Sequence, residues 1–312
     1  MKVAWLGQTR IDFTMDPSSL SLADEWFAPL AEPCAEAAGD PIRIHVERGE
    51  PRASLPKAGV DIDIDGIPGR VDKHALVLRD GEHAMRIPHF SASLTYRYEV
   101  APSRDAFLFG WAIAALARGW HHVHAAALRL RDGRRALLVG STRAGKTTTA
   151  LTLALHGATW GSDDCIFIHD SGQIAPIPRA FYVRERTFHS LPQLQEHAVA
   201  ELRRDEVRHR VDVGELTGRA PERLWDAMDV AIFPSVTMEP TTELRPMDMA
   251  EGLGLLIESS PYVGFERLPG ASEGLSLLAQ TLSGTSCWAL RLGLDALNDS
   301  ALVSRLLERD AH

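Results

Sequence analysis

Arg135-Ala-Leu-Leu-Val-Gly140-Ser-Thr-Arg-Ala-Gly145-Lys-Thr-Thr-Thr149 decides the reading of this chain. A short apolar strand runs straight into Gly140-x-x-x-x-Gly145-Lys146-Thr147, the spacing of a phosphate-binding loop. Two glycines let the backbone curl so that successive N–H groups converge on phosphate oxygens, where an ordinary Cβ would clash. The expected contact set is the loop itself: Gly140, Ser141, Thr142, Arg143, Ala144, Gly145, Lys146, Thr147 and Thr148. Lys146 is placed to reach the β and γ phosphates of a nucleotide, read as ATP, and Thr147 to offer its hydroxyl to Mg²⁺. A helix from Thr148 to His156 would aim its positive N-terminal end at the same anion.

Upstream, His124 to Val139 reads as two strand-like runs joined by Asp132-Gly133, a strong hairpin signal. The strand entering the loop is therefore the second arm of a hairpin. Downstream, Gly157 offers a helix C-cap, and Ala158 to His169 reads as strand, acidic pair, strand, with a turn at Asp170-Ser-Gly-Gln. This pattern predicts an α/β (α+β) core with a mixed, partly antiparallel sheet and flanking helices. Residues 1–103 alternate short extended runs with turn signals, as in Val60-Asp-Ile-Asp-Ile-Asp-Gly, and are expected to form a strand-rich N-terminal region. A buried helix over Arg104 to Gly119 would then open a catalytic domain spanning 104–312. Beyond residue 190, Leu191 to Arg210 reads as helical and charged and Met228 to Phe233 as a buried strand. Leu275 to Leu282 and Asp299 to Arg309 read as closing helices.

Composition narrows the function classes. The 312 residues are 45 % hydrophobic and 24 % charged, enough to bury a full core. Lys and Arg total 33 against 42 Asp and Glu, a net charge of -9 with scattered basic residues, which argues against a nucleic-acid partner. The most apolar stretch, Ala106 to Ala117, is too short to span a bilayer, so no membrane partner is expected. Cys34, Cys165 and Cys287 form neither a metal pattern nor an even disulfide set and read as ordinary buried thiols. With no apolar signal run after Met1, the expectation is a cytoplasmic protein, with self-association left open.

Phosphoryl transfer needs a carboxylate for the metal, a group that takes the acceptor proton, and cations that absorb charge. Asp163 and Asp164 supply the first two. One helix and a return strand after Thr147, they come back beside the loop, and adjacent side chains at a strand end point to opposite sides. His124 could reach and orient an aspartate. His121 and His122 lack the acidic or cysteine spacing of a metal cluster. Arg179, Arg184, Arg186 and Arg143 are the candidates for charge stabilisation.

His124, a tight hairpin, Gly140 to Thr147, a helix closed by Gly157 and then Ser162-Asp-Asp, in this order, resemble the catalytic domain of HPr kinase/phosphorylase. That fold is related to phosphoenolpyruvate carboxykinase, and the resemblance covers roughly residues 105–190. It implies a serine kinase using ATP and Mg²⁺, with Lys146 and the loop amides on the phosphates and Thr147 and Asp163 as metal ligands. It further implies Asp164 as the base, supported by His124. The chain departs from typical members where they carry a glycine-rich Arg-Gly-Leu-Gly-Ile segment. It has Phe181-Tyr-Val-Arg-Glu-Arg-Thr instead, which argues against HPr as substrate. The runs from Phe107 to Ala127 and from Cys287 to Gly293 look more like the stand-alone relatives encoded with peptide natural-product pathways such as lasso peptides. The expected function is thus an ATP- and Mg²⁺-dependent kinase of a peptide or protein serine. Its alternatives are a small-molecule hydroxyl kinase and a regulatory NTPase without acceptor.

Overall fold

The computed structural model describes residues 2–20, 39–51, 53–64, 67–89, 91–101, 103–203, 206–260 and 271–309. These fall into two compact units, residues 2–121 with 271–274, and residues 122–260 with 275–309. Cys34 lies outside the described residues.

The first unit is built on one eight-stranded sheet. Its strands are β1 (Lys2–Leu6), β2 (Thr9–Met15), β3 (Ile42–Arg48), β4 (Val60–Ile64), β5 (Ile67–Val71), β6 (Ala75–Arg79), β7 (His83–Pro88) and β8 (Ser93–Tyr98), in spatial order β1-β2-β3-β8-β7-β6-β5-β4. Period-two patterning sets the faces: Ile42, Ile44 and Val46 of β3 and Leu94, Tyr96 and Tyr98 of β8 are all buried. Helix α1 (Arg104–Leu116) covers this sheet, with the Ser103 side chain accepting from the Ala106 N–H at its N-terminus. A Cβ at Gly110 would stand 2.4 Å from Met85 Sδ, so the helix meets β7 at the closeness only glycine allows. That packing places α1 in the first unit, whereas the sequence reading began the second domain at residue 104. An apolar helix joins whichever sheet offers it a complementary face, and chain position alone does not say which.

The chain passes into the second unit within β9 (Trp120–Val123). There follow β10 (Ala125–Arg129), β11 (Arg135–Val139), α2 (Lys146–Leu155), β12 (Thr159–Ser162), β13 (Ile166–His169), β14 (Ile174–Pro176), β15 (Phe181–Arg184) and α3 (Glu185–Ser190). Then come β16 (Ala198–Arg203), β17 (Glu206–Val211), α4 (Val213–Thr217), β18 (Val230–Val236), β19 (Glu243–Pro246), α5 (Met249–Glu258), α6 (Ala271–Leu282), β20 (Ser286–Leu292), α7 (Asp295–Asn298) and α8 (Leu302–Arg309). The central sheet has the order β12-β10-β11-β18-β20-β19. β11, β18 and β20 are parallel, and the flanking strands run antiparallel. The fold is therefore α/β with a mixed sheet, as the Asp132-Gly133 hairpin predicts.

Both faces of this sheet are buried. Ala136 and Leu138 of β11, with Ala126 and Leu128 of β10, pack with Ala150, Leu151 and Ala154 of α2. The alternate residues Leu137, Val139, Ala125 and Ala127 pack with Ile166, Leu256 and Leu278 on the other side. Strands covered on both faces read as continuous apolar runs, which is why Ala-Leu-Leu-Val precedes the loop.

The strand at Met228–Phe233 and the helices near 275–282 and 299–309 form as read from the sequence. Leu191–Arg210 does not form a helix. Pro192 follows the end of α3, and β16 and β17 pair as an antiparallel hairpin. On β17 the buried His209 and Val211 alternate with outward Arg208 and Arg210, a period of two that mixed charge had made look helical. Helix α5 went unread in the sequence. Its signal was present, since Asp248 accepts from the Ala250 N–H at 2.8 Å and Glu251 stands three residues on.

Candidate functional site

The loop leaves the C-terminal end of β11 and turns into α2 at Gly145, whose φ of 102° and ψ of 7° lie in the left-handed region. Arg143, at φ 71°, is the one non-glycine residue with positive φ among the described residues. These two residues reverse the chain so that α2 starts directly above the strand end. Lys146 is buried, and its ammonium donates back to the carbonyls of Gly140 at 2.6 Å and Ser141 at 3.1 Å, clasping both ends of the curl. Ser141, Thr142 and Arg143 are exposed, while Ala144, Gly145, Thr147 and Thr148 are half-buried. The Thr148 hydroxyl is already engaged, 2.8 Å from Thr187 Oγ1 on α3. A Cβ on Gly145 would meet Leu292 Cδ1 at 2.8 Å and Val236 Cγ2 at 3.2 Å. Gly145→Ala is therefore expected to cost about 1–3 kcal/mol of stability and to weaken triphosphate binding at least as much. Denaturant unfolding and calorimetric titration of the variant check this.

Asp163 and Asp164 lie between β12 and β13, in a turn closed by the Cys165 N–H donating to Ser162 Oγ at 3.1 Å. The two carboxyls diverge. Asp163 is buried beside the Thr147 hydroxyl, which hydrogen-bonds it, while its Oδ1 has no partner among the described residues. Burial pushes its carboxyl above the usual range and the Asp164 charge adds to this, against the pull of Thr147, Arg179 and Lys146. Asp164 is half-exposed and receives two hydrogen bonds on Oδ1 from the buried Arg179 guanidinium, one of them from Nε at 2.9 Å. Burial works against its charge too, but the charge and hydrogen bonds of Arg179, with His124 and His122, hold this carboxyl below the usual range. Lys146 is drawn below the ordinary lysine range by burial, opposed by both aspartates.

His124 immediately precedes β10, its backbone N–H donating to Ser259 O at 2.8 Å and its ring hydrogen-bonding the Asp164 main chain. Burial lowers its pKa, with Lys146 and Arg179 adding to this against Asp164. The sequence-predicted Lys146, Thr147, Asp163, Asp164 and His124 are thus brought together. Of the four candidate arginines, Arg179 joins them. Arg184 instead pairs with Glu206 at 2.9 Å, and Arg143 and Arg186 are exposed. His122 is the residue whose place beside His124 and Asp164 sequence reasoning missed. It stands two positions from His124 on an extended chain, hence on the same side, and that spacing was the available signal.

His122 is buried against Phe167, ring centroids 5.3 Å apart. Burial, with His124 and Arg179 adding to it against Asp164, pulls its pKa down to about 3. Unfolded, this imidazole takes a proton below its ordinary pKa of about 6.5, and the native state does not. The stability it contributes is therefore full above that value and is lost as pH falls from there toward about 3. His122→Leu is expected to flatten this acid limb by about 1.4 kcal/mol per pH unit, measured by urea unfolding between pH 4 and 7.

A hard divalent cation takes oxygen ligands and keeps part of its water shell. The Thr147 hydroxyl and the Oδ1 of Asp163, which has no partner among the described residues, are two such oxygens at the start of α2, and their chemistry fits a hard cation. Among the described residues no group of three or more His, Cys, Asp or Glu side chains gathers into a metal cage. The described cysteines, Cys165 and Cys287, are free and buried. No helix among the described residues is long and apolar enough to cross a membrane.

No family model matches the chain, and no curated protein matches its sequence. Among solved structures the chain is similar to the Hpr(Ser) kinase/phosphatase from Coxiella burnetii. The two are 13 % identical with a TM-score of 0.30, over 61 % of this chain and 95 % of that one.

Proposed function

We propose that the second unit is an ATP- and Mg²⁺-dependent kinase that phosphorylates a serine hydroxyl of a peptide or protein. The observation that carries this reading is the division of labour within one acidic pair. Asp163 is buried under Thr147 with an oxygen to spare, and Asp164 is half-exposed and aimed by Arg179. A binding-only nucleotide site has no use for the second arrangement.

The loop amides and Lys146 hold the triphosphate, and Thr147 with Asp163 hold the cation. Bound Mg²⁺-ATP supplies the electrophilic γ-phosphorus and the metal charge that neutralises the leaving diphosphate. Both Arg179 bonds fall on Oδ1 of Asp164, so Oδ2 is the oxygen that receives the acceptor hydroxyl. As the acceptor oxygen bonds to the γ-phosphorus, the bond to the bridging oxygen breaks, ADP leaves with its electron pair, and Asp164 takes the proton. A carboxylate held below its usual pKa is a weak base. In a loose transition state the hydroxyl proton departs late, so orienting the acceptor counts for more than basicity. His124, bonded to the main chain of Asp164, keeps that carboxylate in place.

The chain's resemblance to stand-alone relatives of HPr kinase points to a precursor peptide of natural-product biosynthesis as the acceptor. The test is incubation with Mg²⁺-ATP and serine-containing peptides, read by mass spectrometry. A gain of one phosphate on a peptide serine supports the reading. Phosphate appearing only on added amino acids or sugars moves the acceptor to a small molecule. ADP release with no phosphorylated acceptor replaces the kinase by an NTPase.

A further inference from the structure

The end of β18 runs alongside the whole phosphate loop. A Cβ on Gly140 would face Pro234 O at 3.6 Å, and Gly145 faces Val236 and Leu292. From there, segments 236–239 and 292–294 are stitched together. The Thr237 N–H donates to Leu292 O at 2.9 Å and the Leu294 N–H to Glu239 O at 2.8 Å. Thr242 then anchors the connection, its hydroxyl donating to Asp295 Oδ1 at 2.6 Å and accepting from the Gly293 N–H at 2.9 Å. At Gly293 a Cβ would stand 2.4 Å from the Thr241 carbonyl carbon, so the two segments are pressed together. Yet this bonded structure displays Val236 at 48 %, Met238 at 76 % and Leu294 at 36 % exposure. An apolar surface held in place in water beside an anion site adds nothing to the core, and such surfaces mark binding sites.

We propose that Val236, Met238 and Leu294 form the shelf that takes the nucleobase of the nucleotide whose phosphates the loop holds, an inference that rests on the phosphate-site reading above. Direction supports it. The acidic pair belongs to the β10 and β12 side of β11, so the reacting phosphate faces that side. The rest of the nucleotide then runs the other way, over the ends of β18 and β20. Ligands of open α/β sheets lie outside the C-terminal ends of parallel strands, and these two strands end beneath the shelf. A base offers a flat π-face, and thioether and branched aliphatic groups pack on such a face without needing a hydrogen-bond partner.

The experiment titrates Mg²⁺-ATP and Mg²⁺-tripolyphosphate into wild type and the Met238→Ser/Leu294→Ser double variant, with thermal unfolding to confirm an unchanged fold. Both positions are exposed, and serine adds no charge that would repel phosphate. The wild type should bind ATP more tightly than tripolyphosphate by about tenfold or more. The double variant should lose about that factor on ATP and nothing on tripolyphosphate. A double variant that keeps the wild-type ratio, or a wild type with no preference for ATP, overturns the shelf while leaving the phosphate site standing. A wild type that binds neither ligand overturns the phosphate-site reading itself, and the shelf with it.

Discussion

Lys146→Ala is expected to lower phosphoryl transfer by on the order of 10³-fold and to weaken ATP binding severely, with little change in unfolding midpoint. Two roles are lost at once. The ammonium is the buried cation of the Gly140–Thr147 loop, and its hydrogen bonds to Gly140 O and Ser141 O hold that loop curled. Its charge also draws the Asp163 carboxyl back toward ionisation against burial. The variant should therefore require higher Mg²⁺ concentrations as well as bind nucleotide more weakly. Steady-state turnover across Mg²⁺ and ATP concentrations measures both. A variant within a few-fold of wild type would show that the loop does not carry the reaction.

Asp164→Asn should separate binding from chemistry. The amide keeps the shape and an oxygen for Arg179 but can neither take the acceptor proton nor carry charge, so kcat should fall by about 10²–10⁴ while ATP affinity stays within a few-fold. There is a structural side effect. Arg179, only 8 % exposed, keeps its charge and loses the carboxylate it bonds. Because Asp164 itself is half-exposed, solvent screens part of that loss, and the cost should be about 1–3 kcal/mol. The double variant Asp164→Asn/Arg179→Gln removes the buried cation as well and should recover part of that stability without recovering turnover. If the double variant regained activity, Asp164 would be acting only through the fold, and its role as proton acceptor would be withdrawn.

The loop could be read directly because its chemistry is local. Gly140, Gly145, Lys146 and Thr147 lie within eight consecutive residues, and backbone curvature, anion attraction and helix start are all dictated there. The acidic pair was legible for a related reason. A helix of one loop's length and a returning strand leave Asp163 and Asp164 few places to go. The hairpin at 198–211 was misread because alternating apolar and charged residues satisfy two periods at once, and pairing with β15 settles between them.

By itself, then, the sequence determined the mixed sheet, the glycine-rich turn from β11 into α2 and the return of the two carboxylates beside it, because each follows from steric and electrostatic rules acting over a few residues. Only the tertiary structure decided which arginine meets the acidic pair, which aspartate is buried and which is presented, and that His122 stands among them. Arg179 is fifteen residues from Asp164 and reaches it through the turn of β13 and β14, while Arg184 is drawn off by Glu206 on a different strand. Selection among chemically identical side chains depends on distances between elements, and those are fixed by how the two faces of the sheet are filled.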